Sequence, residues 1–233
     1  MDILVNNSTL NLSLNDVKQM IANERYFKYY KPLPVDSRIE DDKNHGVPMM
    51  NAVFYELFLR LSRVPHWQEF LDAYINMWGH TIYADGNDMT FKSPDPRFQY
   101  VFKRQALEKK LIRAYMSFLK EVYVLYWFHN RGLTTACYSL ENDIAGYDIT
   151  AVNRFNQMFG IKIYSDTYKA NRFANIKKSE RNRLPVNTTS IAIKANINKD
   201  NGMLLGDTYI FPDRLLNGVY HYINNNIQKD IIL

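Results

Sequence analysis

Two acids and a lysine, Asp148, Asp166 and Lys162, are the strongest candidates for a reactive or metal-holding group. They lie in Gly146-Tyr147-Asp148-Ile149-Thr150 and in Gly160-Ile161-Lys162-Ile163-Tyr164-Ser165-Asp166. Both runs alternate apolar and polar residues and read as neighbouring strands. Carboxylates at adjacent strand ends are hard oxygen ligands able to share a divalent cation such as magnesium or manganese. Charged groups on the neighbouring strand, such as Lys162, commonly complete a site of this kind. By the two-residue period of a strand, Lys162, Tyr164 and Asp166 share a face, with Ile161, Ile163 and Ser165 on the other. Glu141 lies shortly before Asp148 and offers a further ligand, whereas Asp143 reads as a turn cap. Glu121 sits within a long helical pattern. It reads first as an exposed helix residue, and adds a carboxylate if that helix packs beside the strand ends.

Lysines follow the strand closely. Lys169 lies just beyond Asp166-Thr167, and Lys177 falls at helical spacing from Ala170, Phe173 and Ala174, on an apolar face where a lysine is unusual unless it snorkels. From Lys162 to Arg183 the basic residues are Lys162, Lys169, Arg172, Lys177, Lys178, Arg181 and Arg183, against Asp166 and Glu180 alone. That excess equals the formal +5 of the whole chain. So focused a segment is either a solvated helix face or the footprint of a protein that meets phosphates.

Other chemistries find little support. The single cysteine, Cys137, excludes an internal disulfide and a cysteine-based zinc site. His66, His80 and His129 lack metal-ligand spacing and read as surface or satisfied histidines. Ser139 has no histidine and acid arranged around it. No phosphate-cradling glycine loop is present. Tyr26, Phe27, Tyr29 and Tyr30 interleave with Lys28 and Lys31, but aromatics at helical spacing belong more often to a core than to a base-stacking surface. No apolar run approaches the length of a bilayer span, and the first residues lack a secretory pattern, so a cytoplasmic protein is expected.

The elements that would position these residues change character near Gly132. Before it the apolar period is helical: a start at Ser13-Leu-Asn-Asp16, apolar rows from Met49 to Arg63 and again after Pro65, then the longest helical pattern from about Arg97 to Asn130, with the helix that flanks the sheet over 105–130. Turn residues around 85–96 allow a short hairpin. After Gly132 the period drops to two. Strands are expected over 134–140, 147–153, 160–167, 190–197 and 204–211, with helices over 169–181 and after Pro212. The expectation is therefore an α/β (α+β) chain, with 1–104 a mainly helical N-terminal region and 105–233 an α/β core with a C-terminal strand and helix, in which 134–211 form one mixed sheet flanked by helices.

This helix–strand–strand–strand–helix–strand order, over about residues 105–198, resembles the core of the PD-(D/E)XK, or restriction-endonuclease-like, superfamily. Three stretches are also similar to endonuclease-like proteins of phages and mobile elements: Arg113-Ala-Tyr-Met-Ser-Phe-Leu-Lys-Glu121, Tyr138-Ser-Leu-Glu141-Asn-Asp143 and Ile163-Tyr-Ser-Asp166-Thr-Tyr-Lys169. The resemblance implies that Asp148 is the acid of the second strand, with Asp166, Glu141 and Glu121 as further metal ligands and Lys162, Lys169 or Lys177 as the lysine. It also implies magnesium or manganese as cofactor and DNA as partner, met through Lys169, Arg172, Lys177, Lys178, Arg181 and Arg183. The family pattern places acid-x-lysine on the third strand, where this chain has Gly160-Ile-Lys162.

Two readings follow. One is a metal-dependent nuclease of a phage or mobile element acting on DNA. The other is a catalytically inactive nuclease-fold protein that binds nucleic acid or a protein, such as a mobile-element accessory factor or an anti-defence protein. The geometry that separates them is whether Asp148 and Asp166 converge.

Overall fold

The computed structural model describes residues 12–26, 50–77, 82–85, 88–91, 100–137, 147–164, 188–194 and 197–225. The chain divides into two compact units, one of Met1–Ala22 with Leu119–Leu233, the other of Asn23–Phe118. The division falls inside the longest helix.

The 23–118 unit holds helices α2 (Met50–Leu61) and α3 (Trp67–Met77) and the first turns of α4 (Arg104–His129). It also carries an antiparallel sheet of β1 (Ile82–Asp85), β2 (Asp88–Phe91) and β3 (Tyr100–Lys103), so strands accompany the expected helices here. The i, i+3 and i+4 spacing of apolar residues on three helices gathers aromatics into one core. Phe54 meets Phe118 at 4.9 Å between ring centroids and Phe70 edge-on at 5.8 Å, and Phe70 stacks on Tyr115 at 5.9 Å. Such pairs add about 0.5–1.5 kcal/mol each beyond the area they bury. Tyr26 is fully buried against Tyr115, so it is a core residue and presents no face to a base.

The chain turns between α2 and α3 through Ser62, whose φ of 52° ends the helix. The orphan donors at the start of α3 are then met by side chains. Glu69 Oε2 accepts from the His66 backbone N–H at 2.7 Å, and the Arg63 guanidinium forks onto both Glu69 oxygens at 2.8 and 2.6 Å.

In the other unit, α1 (Leu14–Asn23) begins with a reciprocal cap. Ser13 Oγ accepts from Asp16 N at 3.1 Å, and Asp16 Oδ2 accepts from Ser13 N at 2.8 Å. From Glu121 to Phe128 every residue of α4 is buried, as an all-apolar run such as Val122 to Phe128 requires. Gly132, at φ 85°, turns the chain out of the helix and donates to His129 O.

Four strands then form one sheet in the order β4 (Thr134–Cys137), β5 (Ile149–Val152), β6 (Met158–Tyr164), β7 (Thr188–Lys194). The first three pair antiparallel, and β7 runs parallel to β6. Ile149, Ala151, Phe159, Ile161, Ile163, Ile191 and Ile193 form its buried face. The run expected as one strand over 204–211 is instead a hairpin, β8 (Met203–Leu205) and β9 (Thr208–Ile210), because Gly206 at φ 58° reverses the chain. That hairpin is a separate two-stranded sheet, so 134–211 does not form the single sheet its periodicity suggests. Helix α5 (Asp213–Asn225) buries Leu216, Val219 and Ile223, and Asp213 receives hydrogen bonds from Trp127 Nε1 at 2.9 Å and Tyr123 Oη at 3.3 Å.

Candidate functional site

The candidate site lies where β5 begins beside β6. Ile149 pairs with Ile161, yet Asp148 N also donates to Ile161 O at 3.0 Å. Two residues of one strand thus oppose one of the other, which is a β-bulge. A bulge shifts the side-chain phase of the residues before it. Tyr147 therefore crosses onto the face that carries Gly160 and Lys162, although simple alternation would put it with Ile149. A Cβ at Gly160 would meet the Tyr147 ring at 2.4 Å, so only glycine fits beneath it. Lys162 Nζ stands 5.3 Å from the centre of the same ring, within cation–π range. Among the described residues the buried Tyr147 hydroxyl has no partner at good hydrogen-bond geometry; burial raises its pKa, and the nearby Ser190 hydroxyl offsets part of that rise.

Asp148 is half-buried, and its Oδ2 accepts from Ile163 N at 2.5 Å. The carboxylate takes the ladder position that β5 vacates at the bulge, so one oxygen is oriented by the backbone of the strand that carries Lys162. A short charge-assisted bond of this kind holds the group in one geometry.

The remaining predicted residues fall as follows. Glu121 is 8% exposed, so it is buried in α4 and is not the exposed helix residue its position suggests. Beside it Lys120 is largely withdrawn from water, and burial lowers its ammonium pKa below the ordinary lysine value. Glu141, Asp166, Lys169, Arg172, Lys177, Lys178, Arg181 and Arg183 lie outside the described residues, and with them the separation of Asp148 from Asp166.

The same geometry tests the fit of a divalent metal. Among the described residues no three His, Cys, Asp or Glu side chains gather closely enough to hold one. The acid that acid-x-lysine would supply two residues before Lys162 is Gly160, and its space is filled by Tyr147. The described side chains alone do not make a metal centre.

A second charged constellation, in the 23–118 unit, has no motif to announce it. Glu24 is 4% exposed; its Oε1 meets His66 Nδ1 at 2.5 Å and its Oε2 accepts from Trp67 N at 3.2 Å. Tyr115 Oη donates to Pro65 O at 2.8 Å, and burial, then the Glu24 charge, raises its phenol pKa. Forty-two residues separate Glu24 from His66, which is why spacing alone conceals the pair. The carboxylate closes the start of α3, a structural task, and orients a histidine ring whose side chain is 61% exposed.

Comparison with known proteins returns no match, whether to a family model, a curated sequence or a solved structure.

Proposed function

We propose that this chain is a nuclease-like protein that acts on DNA through its four-stranded sheet and the basic segment that follows β6. The observation that carries this reading is the sheet itself. Three antiparallel strands follow a long helix, and a fourth strand runs parallel to the third after a crossover. The resemblance drawn from the sequence implies a core of this order, and a mixed sheet with these strand directions supports it. Asp148, which the resemblance makes the acid of the second strand, is held against the strand bearing Lys162. The crossover, 165–187, contains most of the basic residues that account for the charge of the chain.

A specific observation favours a second reading, in which the fold binds DNA without cutting it. Gly160 stands where the third-strand acid belongs, and Tyr147 occupies its volume. A carboxylate could not be accommodated there without displacing the ring.

One experiment separates the readings. Parent and Asp148→Asn are assayed for plasmid cleavage with added magnesium or manganese, alongside equilibrium DNA binding and a folding control. The cleaving reading expects parent activity that Asp148→Asn abolishes, because the neutral amide is a poorer cation ligand of similar shape. Binding by both variants with no cleavage by either selects the non-cleaving reading. No DNA binding by the folded parent would overturn the proposal.

A further inference from the structure

The turn between β5 and β6 is built more firmly than a connection needs. Asn153 is 4% exposed, and its Oδ1 accepts from Phe155 N at 2.9 Å and Gln157 N at 3.1 Å. Its Nδ2 donates to Gln157 Oε1 and to Ile223 O of α5, both at 2.9 Å. Two backbone bonds close the loop, Asn153 N to Gln157 O at 3.1 Å and Asn156 N to Asn153 O at 3.0 Å, and Asn156 takes the left-handed conformation at φ 58°. What this frame holds outward is Phe155, 54% exposed, with the Arg154 guanidinium 4.8 Å from its ring centre; the neighbouring Met158 is 41% exposed.

The surroundings select the charge of a ligand. The segments that the sheet brings to this end are 129–135, 152–158, 188–191 and the end of α5 at 223–225. They carry Arg131 and Arg154 and not one Asp or Glu, with Asn, Gln and Thr making up most of the polar remainder. A rigid aromatic already stacked on one cation, among described segments that carry no acid, suits a flat ring attached to an anion. An unpaired nucleotide supplies both.

We infer that the β5–β6 turn is a single-strand contact, Phe155 stacking on an unpaired base and Arg154 pairing with the adjoining phosphate. This rests on the DNA reading above and adds a site at the end of the sheet away from Asp148 and Lys162. The frame matters because a pre-ordered loop loses little conformational freedom on binding, so most of the stacking free energy appears as affinity.

The test is fluorescence anisotropy of the full chain with labelled oligothymidylate and with a labelled duplex, over a salt series. Phe155→Ala should bind the single strand roughly 5- to 150-fold more weakly, the range expected for one stacked base, with little change on the duplex. Phe155→Tyr should retain parent affinity. Arg154→Ala should reduce the slope of log affinity against log salt by about 0.7, one phosphate contact on a single strand. Because these side chains are exposed, circular dichroism should show an unchanged fold. Parent binding with Phe155→Ala indistinguishable from it overturns this inference, pointing Phe155 to a protein partner, and leaves the DNA reading standing. Failure of the parent to bind either probe defeats the DNA reading itself.

Discussion

The contact between Gly160 and Tyr147 decides more at the site than any charge does. With an ideal Cβ only 2.4 Å from the ring, Gly160→Ala must push a buried tyrosine aside. Overpacking of that kind costs about 1–3 kcal/mol, so a lowered denaturant midpoint with an unchanged slope is expected. In Tyr147→Ala the same substitution should cost much less, and additive effects in the double-mutant cycle would refute the steric account. Asp148 makes a second prediction. Its Oδ2 accepts from Ile163 N, and an alanine would leave that N–H without the acceptor. Asp148→Ala should therefore destabilise by about 1–3 kcal/mol, whereas Asp148→Asn keeps an oxygen there and should lose less. Equal losses in urea unfolding would show that the bond contributes nothing.

The starts and turns of elements are held by side chains that reach back to the backbone. At the head of α3, Arg63 and then the His66 backbone hold the Glu69 carboxyl down at about 2, against an ordinary 4.5, although burial works the other way. A carboxyl lowered on folding stabilises the folded state when ionised. Its contribution is complete above about pH 4.5 and is lost as the pH falls through about 2. About a third of each partner's side chain is exposed, so solvent screening keeps the contribution small. Stability measured against pH should fall more steeply in the parent than in Glu69→Gln across that window, and parallel curves would remove the pair from the account. The β5–β6 turn depends on Asn153 in the same way. Asn153→Ala removes four hydrogen bonds at once and should cost about 2–4 kcal/mol by thermal or urea unfolding. A cost under half a kilocalorie would mean that the turn orders itself.

For the whole molecule, charge placement governs association. Because the excess positive charge concentrates between Lys162 and Arg183, replacing Lys177, Lys178 and Arg181 by alanine should weaken DNA binding about equally across sequences. It should also flatten the salt dependence, since each phosphate contact given up releases fewer counterions. A triple variant that binds like the parent at low salt would reduce the segment to a solvated face. The helices carry a further plain limit: among the described residues none is long and apolar enough to cross a membrane.

Features under local control can be read directly from the residues. The helical pattern from about Arg97 to Asn130 is found as the helix Arg104–His129, because its apolar spacing persists until Gly132 allows a positive φ, whereas Tyr100–Lys103 at its start pairs as β3 instead. The Ser13–Asp16 cap and the strands β4 to β7 are legible for the same reason, since neighbours within a few residues fix them. Features that depend on pairing between distant segments cannot be read that way. A two-residue period carries no mark of the bulge at Asp148, so it could not place Tyr147 over Gly160 or turn the Asp148 carboxylate onto Ile163. Nor does it say whether two runs join one sheet, which is why β8 and β9 stand apart from the four strands before them. Glu24 and His66 meet because α3 is packed against the chain that follows α1, and no spacing along the sequence encodes that encounter.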